Sequence, residues 1–293
     1  MEENRDVTFS AVVFGTDFSE RARAAGRYAA LFARHYNAEL IVVHAFTLVQ
    51  PALEVEALTH VRSAQRKDLE RLLAQTVEEL APVAGKAASV LDEGNPIDWI
   101  RAASEQREPS LVVLGTHGGG PLERHIIGSV AEEILRTIHS PVLTLGPHVS
   151  VPSSAVLTFR RILYATDFSH SAAHAAPYAV ALARAFSSEI DVLHVVSGEV
   201  MGRPDVLRAK EQEFLGALDR LVPERARDLC RSRTLVEFGN VRERILGRAR
   251  EGRVDLIVLG AHHHSRLARH FRTGPAFQII GAAPCPVLTI CRP

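Results

Sequence analysis

Through its first half the chain alternates short unbroken apolar runs with longer stretches in which apolar positions recur every three or four residues. The runs Ala11–Gly15, Glu39–Ala45, Ala87–Leu91, Leu111–Gly115 and Val142–Leu145 are continuous rather than alternating, which predicts strands buried on both faces. Helices are predicted near 20–36, 55–81, 96–106 and 129–138. The long one places Leu58, Val61, Leu69, Leu72, Leu73, Val77 and Leu80 on one stripe. Asn95-Pro96 suits a helix start, a capping side chain followed by proline at the first helical position. Asp17 with Glu20 three residues on reads as a capping box for the first helix. Strand alternating with helix implies a parallel sheet covered on both sides.

The pattern is then written again. Phe14-Gly-Thr-Asp17-Phe-Ser19 returns as Tyr164-Ala-Thr-Asp167-Phe-Ser169, and His44 returns as His194, both at an offset of 150. After a shorter middle segment the offset is 145: Gly94-Asn95 matches Gly239-Asn240, and Ser140-Pro-Val-Leu-Thr matches Cys285-Pro-Val-Leu-Thr. Two correspondences of this length mean a duplicated domain, not a solenoid. The expected organisation is a first α/β domain over 1–146, a linker over 147–158 that includes breaker-rich sequence, and a second domain over 159–293. The expected fold is two tandem doubly wound parallel five-stranded sheets with helices on both faces. The closing strands, Pro-Val-Leu-Thr-Leu and Pro-Val-Leu-Thr-Ile, carry no charge to discourage pairing. They are therefore expected to meet each other, within one chain as a pseudo-dimer or between two chains as a homodimer.

Composition narrows the function classes. In 293 residues Lys+Arg and Asp+Glu both number 34, so no basic excess points to nucleic acid. Nothing approaches 18 consecutive apolar residues, and the N-terminus lacks the basic and apolar regions of an export signal, so a membrane partner is not expected. Cys230, Cys285 and Cys291 form neither a metal-type pair nor a disulfide framework, which suits a reducing cytoplasm. Cys285 and Cys291 flank an apolar run and read as buried, inert thiols.

The candidate chemistry sits where strands end. Gly115-Thr116-His117-Gly118 follows the apolar run Leu111–Leu114, and nine residues later Gly128-Ser129-Val130 opens a helix. Main-chain N–H groups at glycines can approach phosphate oxygens because no Cβ intervenes. A helix start adds unpaired N–H groups and the positive end of its dipole. Thr16-Asp17 follows the first strand and falls on the same rim. No Gly-Lys-Ser/Thr follows, so this is not a Walker loop. The plain alternatives stay open: turn glycines, a helix cap at Gly128-Ser129, and a packed, hydrogen-bonded His44 at the end of its strand. Arg124 and His125 read equally as phosphate-steering groups or as a solvated loop face. In the second copy, at the offset of 145, His263, Thr273, Gly274 and Pro275 stand where Gly118, Gly128, Ser129 and Val130 stood. The backbone cradle is expected to be lost there, although residues 261–272 carry four His and three Arg with no acid, enough to hold an anion by side chains. Consecutive His262-His263-His264 point in different directions on an ordinary backbone, and no nearby acid or Cys completes a metal site.

Thr-Asp-Phe-Ser after the first strand, the His ending the second, Gly-x2-Gly-x9-Gly-Ser and the closing Ser-Pro-Val-Leu strand together resemble a tandem universal stress protein over nearly the whole chain. The resemblance implies strand order 3-2-1-4-5, dimerisation through the last strand, and a regulatory role in stress exerted through an unknown protein partner. In the ATP-binding branch, which the first copy resembles, Asp17 and Ala45 would lie around adenine. Gly115, Gly118, Gly128, Ser129 and Val130 would hold ribose and phosphates, with Thr16, Thr116 and His117 alongside. The expected ligand is ATP or another adenine nucleotide, with Mg2+ on its phosphates. Two further readings remain: a slow ATPase, for which Asp17 and His117 are the nearby candidate groups, and a nucleotide-free scaffold, which the second copy fits.

Overall fold

The computed structural model describes residues 7–47, 55–116, 127–152, 154–197, 204–221, 230–262 and 274–292. The first half runs β1 (Ala11–Gly15), α1 (Glu20–Tyr36), β2 (Glu39–Phe46), α2 (Val55–Ala84), β3 (Ala87–Glu93), α3 (Pro96–Glu105), β4 (Ser110–Gly115), α4 (Ser129–Thr137) and β5 (Val142–Leu145). The second runs β6 (Arg161–Ala165), α5 (His170–Ala185), β7 (Glu189–Val196), α6 (Pro204–Leu221), β8 (Ser232–Phe238), α7 (Val241–Glu251), β9 (Leu256–His262), α8 (Pro275–Ala282) and β10 (Val287–Arg292).

The strands form one ten-stranded sheet in the order β3-β2-β1-β4-β5-β10-β9-β6-β7-β8. Each half has the expected order 3-2-1-4-5, and every neighbouring pair is parallel except one. The exception is the seam, where β5 and β10 pair antiparallel with Leu143 opposite Leu288. Two sheets have thus become one, and the uncharged segments of the two closing strands cover each other within the chain. Thr144 Oγ1 donates to the Val287 carbonyl across the seam at 3.1 Å, and Cys291 Sγ donates to the Leu135 carbonyl of α4 at 3.0 Å.

The core follows from strand alternation. Val12 and Phe14 of β1 point to one face of the sheet with Ile162 and Tyr164 of β6. Ala11 and Val13 point to the other with Leu163 and Ala165. Each apolar layer spans both halves, so the seam is continuous packing and not a gap between separate cores.

Three sequence expectations change. Only Leu73 and Leu80 of the α2 stripe are buried, and Val61 and Leu72 are 44% and 37% exposed. The side chain of Leu58 lies outside the described residues. This helix packs against α1, β2 and β3 at one end of the sheet, so the seam 69, 73, 77, 80, 84 is covered while Val61 and Leu72 stay exposed. The cap of α1 is Ser19, whose side chain accepts from the Ala22 N–H; Asp17 is not the cap. The third change, the start of α8, bears on the site and is described below. Asn95 caps α3 with Pro96 in its first turn, as expected.

Candidate functional site

The strand order reverses between β1 and β4: β2 and β3 extend one way from β1, and β4 and β5 the other. Crossovers on opposite faces leave a crevice at the carboxyl ends of β1 and β4, where such sheets take ligands.

The turn after β1 is built by its own side chains. Thr16 N–H continues the ladder to the Val43 carbonyl at 3.0 Å. Thr16 Oγ1 accepts from the Phe18 N–H and Asp17 Oδ1 from the Ser19 N–H, both at 3.0 Å. Phe18 sits at a φ of +61°, a left-handed conformation that non-glycine residues seldom adopt. This extra bend carries the chain two residues past Asp17 before α1 begins, which is why the cap falls on Ser19. Asp17 remains exposed, and its other carboxylate oxygen has no hydrogen bond to a described residue.

His44 is tied into the same corner. Its Nδ1 lies 2.7 Å from the Thr16 carbonyl. A carbonyl only accepts, so Nδ1 carries a proton and donates it here. The ring packs on Phe18 with centroids 4.2 Å apart. This is the packed, hydrogen-bonded histidine of the plainer reading, and it orders the rim where Ala45 follows on β2. The contribution of Phe18 was missed in the sequence; the signal was the exact return of Thr-Asp-Phe-Ser at 166–169, where Phe168 again has a φ of +61°.

On the β4 side, Thr116 is buried. Both its N–H and its hydroxyl donate to the Leu145 carbonyl, at 3.0 and 3.2 Å. Its carbonyl in turn accepts from the Gly128 N–H, so the end of β4 is strapped to the start of α4. Gly128 caps α4 with extended backbone (φ −61°, ψ 150°) and no side-chain cap bond. Gly128 has no side chain to cap the first-turn N–H groups of Ser129 and Val130. Thr16, Asp17, Ala45, Gly115, Thr116, Gly128, Ser129 and Val130 are all placed at this one rim. His117, Gly118, Arg124 and His125 lie outside the described residues.

The glycines can be asked why they are glycine. A Cβ on Gly115 would have as its nearest neighbours the main chain of Arg21 and Ala22, at an ordinary 3.6 Å or more. Gly128 has a φ that any residue adopts. Backbone strain demands glycine at neither place, and at Gly115 the nearest neighbours do not demand it either. In the second half the matching glycine has a different cause. A Cβ on Gly260 would collide with the main chain of Ser171 and Ala172. The start of α5 is drawn down there by Tyr164, whose buried hydroxyl donates to the Ala172 carbonyl at 2.6 Å. Burial pushes that phenol up to about 12, so it stays a donor. Phe14 fills the same place in the first half and has no hydroxyl.

The start of α8 corrects the sequence alignment. Gly274 is the N-cap and Pro275 the first helical residue. Gly274 therefore holds the place of Gly128, not of Ser129, because the loop before α8 is one residue longer than the loop before α4. Proline then stands where Ser129 stands, without the N–H and without the hydroxyl. His263 and Thr273 lie outside the described residues.

A doubly wound sheet with a ligand crevice at its strand ends, present twice, is the class of molecule that these observations define. The model of the universal stress protein family matches residues 8–145 and again 158–290, and the chain belongs to that family. Universal stress protein MJ0531 of Methanocaldococcus jannaschii is 29% identical over 145 residues, which is 48% of this chain and 85% of that protein. A universal stress protein of Thermus aquaticus is 26% identical over 136 residues, 46% of this chain and 97% of its own length. Among solved structures, a universal stress protein from Archaeoglobus fulgidus has a TM-score of 0.69 at 22% identity, covering 96% of both chains. The structure of a universal stress protein from Pseudomonas aeruginosa covers 97% of this chain and 93% of its own, with a TM-score of 0.59 at 15% identity. At these identities the structures share the fold.

Proposed function

We propose that the first half binds an adenine nucleotide, ATP with Mg2+ on its phosphates, and that occupancy regulates a protein partner in the cytoplasmic response to stress. The observation that carries this is Gly115, where neither backbone conformation nor the nearest neighbours require glycine, standing at one rim with Gly128, the extended N-cap of α4, whose φ does not require glycine either. Bare main chain at both places, with the uncapped start of α4 between them and the loop, suits a phosphate tail. Asp17, with one oxygen uncommitted, and the chain around Ala45 lie on the opposite side of the crevice and suit the base. The described residues gather no set of three metal-ligating side chains, so the phosphates themselves would hold Mg2+. A ligand shifts a partner only through its differing affinity for two states, and binding is the first thing to establish.

Calorimetric titration of the full chain with Mg-ATP should show one high-affinity event. Gly128→Val should weaken it at least tenfold, since a branched side chain at the cap fills the approach to the helix N–H groups. Its melting temperature should hold, because φ −61° suits valine. Unchanged affinity in that variant would place the nucleotide elsewhere.

A further inference from the structure

The seam buries one pair of strand edges and leaves another, β3 at one end of the sheet and β8 at the other. We propose that β8 is a docking edge for a second copy of this chain, the two β8 strands pairing antiparallel about Leu235 so that two ten-stranded sheets join into one.

The main chain of β8 sets which registers are open to it. The Ile190 N–H donates to the Arg231 carbonyl and the Gly239 N–H to the Val196 carbonyl, both at 3.0 Å. In a parallel pair alternate residues turn both main-chain groups to the same neighbour. Arg231, Arg233, Leu235, Glu237 and Gly239 therefore face β7. Ser232, Thr234, Val236 and Phe238 turn theirs outward, where no described strand lies. An antiparallel partner satisfies such groups only when outward residues stand opposite outward residues. Full overlap of β8 with its own copy does this: Ser232 falls opposite Phe238, Thr234 opposite Val236, and Leu235 opposite itself.

The side chains favour the same register. Arg233 and Glu237 lie two residues either side of Leu235 and share its face of the sheet. In full overlap each Arg233 stands opposite the other copy's Glu237, once at each end of the pair. Arg233 and Arg248 share the single carboxylate of Asp191, which leaves one positive charge near the start of the strand, and the Arg233 side chain is half exposed. Glu237 has no ion pair with a described residue. A strand with a spare cation near its start and a spare anion near its end complements its own reversed copy, and opposite charges directly across an antiparallel pair are stabilising.

The other edge is not self-complementary. Full overlap of β3 with its copy would set Asp92 opposite Ala88 and Glu93 opposite Ala87, two acids without a cation, the kind of charge that keeps an edge unpaired. Pairing β3 with β8 of another copy would match Asp92 to Arg233 but leave Glu237 opposite Ala88, one ion pair in place of two. That arrangement would also grow into a filament, whereas β8 on β8 closes at two chains.

Light scattering on the full chain at micromolar concentration should give the mass of two chains. Glu237→Arg sets like charges opposite Arg233 at both ends and should raise the dimer dissociation constant roughly tenfold or more. Its circular dichroism spectrum should stay that of the parent, because Glu237 has no ion pair to lose within the described chain. Val236→Pro removes an outward N–H and no bond to β7, and should likewise give a monomer. Asp92→Arg, on the opposite edge, should leave the dimer as it was. A monomeric parent, a dimer indifferent to both β8 variants, or a mass that climbs past two chains and falls with Asp92→Arg would overturn the proposal.

Discussion

A glycine at the end of a strand can be there for its own main chain, for a neighbour's, or for a ligand, and only the neighbours decide. Gly115 and Gly260 are the same letter in the same place of a duplicated sequence, yet the second is demanded by the approach of α5. That approach depends on one hydroxyl, Tyr164 in place of Phe14, and so on packing that no motif spells out. The turn side chains were legible as a group from Thr-Asp-Phe-Ser, but not which of them caps the helix, because a positive φ at a phenylalanine has no signature in a single sequence. The cysteines were legible from their apolar flanks. Cys285 and Cys291 are buried, and burial pushes both thiols up to about 12, the Asp255 charge adding to it at Cys285. Burial raises Cys230 as well, against a smaller lowering by Arg184. Since the thiolate is the reactive form, native protein at pH 8 should give no fast reaction with Ellman's reagent, and three thiols after denaturation. One rapid equivalent in the native state would show that a packed region opens on the timescale of the assay.

At the scale of elements, strands were the easier reading. All five of the first half fall within two residues of expectation, since a strand buried on both faces must be apolar throughout and its ends show as breakers; β3, at the edge of the sheet, is the exception in burial, with no fully buried residue along it. The α2 stripe failed because periodicity reports a helix but not how much of its face a neighbour covers. Another difference between the halves is visible only once elements are packed. Ile41 and Ala103 belong to one apolar layer in the first half, with Ala88 opposite Ile41 on β3; their counterparts are Asp191 on β7, Arg233 on β8 and Arg248 on α7. The Asp191 side chain, 7% exposed, lies 2.8 Å from Arg233 and 3.2 Å from Arg248. Removing one member of a buried charge cluster leaves the others uncompensated, typically at about 3–5 kcal/mol. The Arg233 side chain is half exposed, so Asp191→Ala should cost roughly 2–3 kcal/mol in urea unfolding. Converting all three to the first-half residues should recover most of that loss. A triple variant no more stable than Asp191→Ala would mean that the cluster does more than replace an apolar contact.

The whole molecule is organised by its seam. The closing strands announced themselves as too apolar to be left at an edge, but the sequence could not say whether partner and strand shared a chain, because Val142-Leu-Thr-Leu and Val287-Leu-Thr-Ile present nearly the same surface to either. In the structure they pair with each other, antiparallel about Leu143 and Leu288. An antiparallel register centred on equivalent leucines has local two-fold symmetry, so β5 of a second chain would fit β5 with the same main-chain bonds and almost the same side chains. Relatives such as MJ0531, 85% of whose length is matched by half of this chain, show that a single unit exists alone. Residues 1–152 expressed by themselves should therefore fold and, having lost β10, pair through β5 as a dimer by light scattering. Leu143→Lys should return that fragment to a monomer, because two like charges would then face each other across the seam. The same substitution in the full chain should lower stability without changing oligomeric state, since there the partner strand is held by its own chain at high effective concentration. A fragment that stays monomeric and soluble with leucine in place would show that this strand needs no cover, and that something other than edge pairing joins the halves.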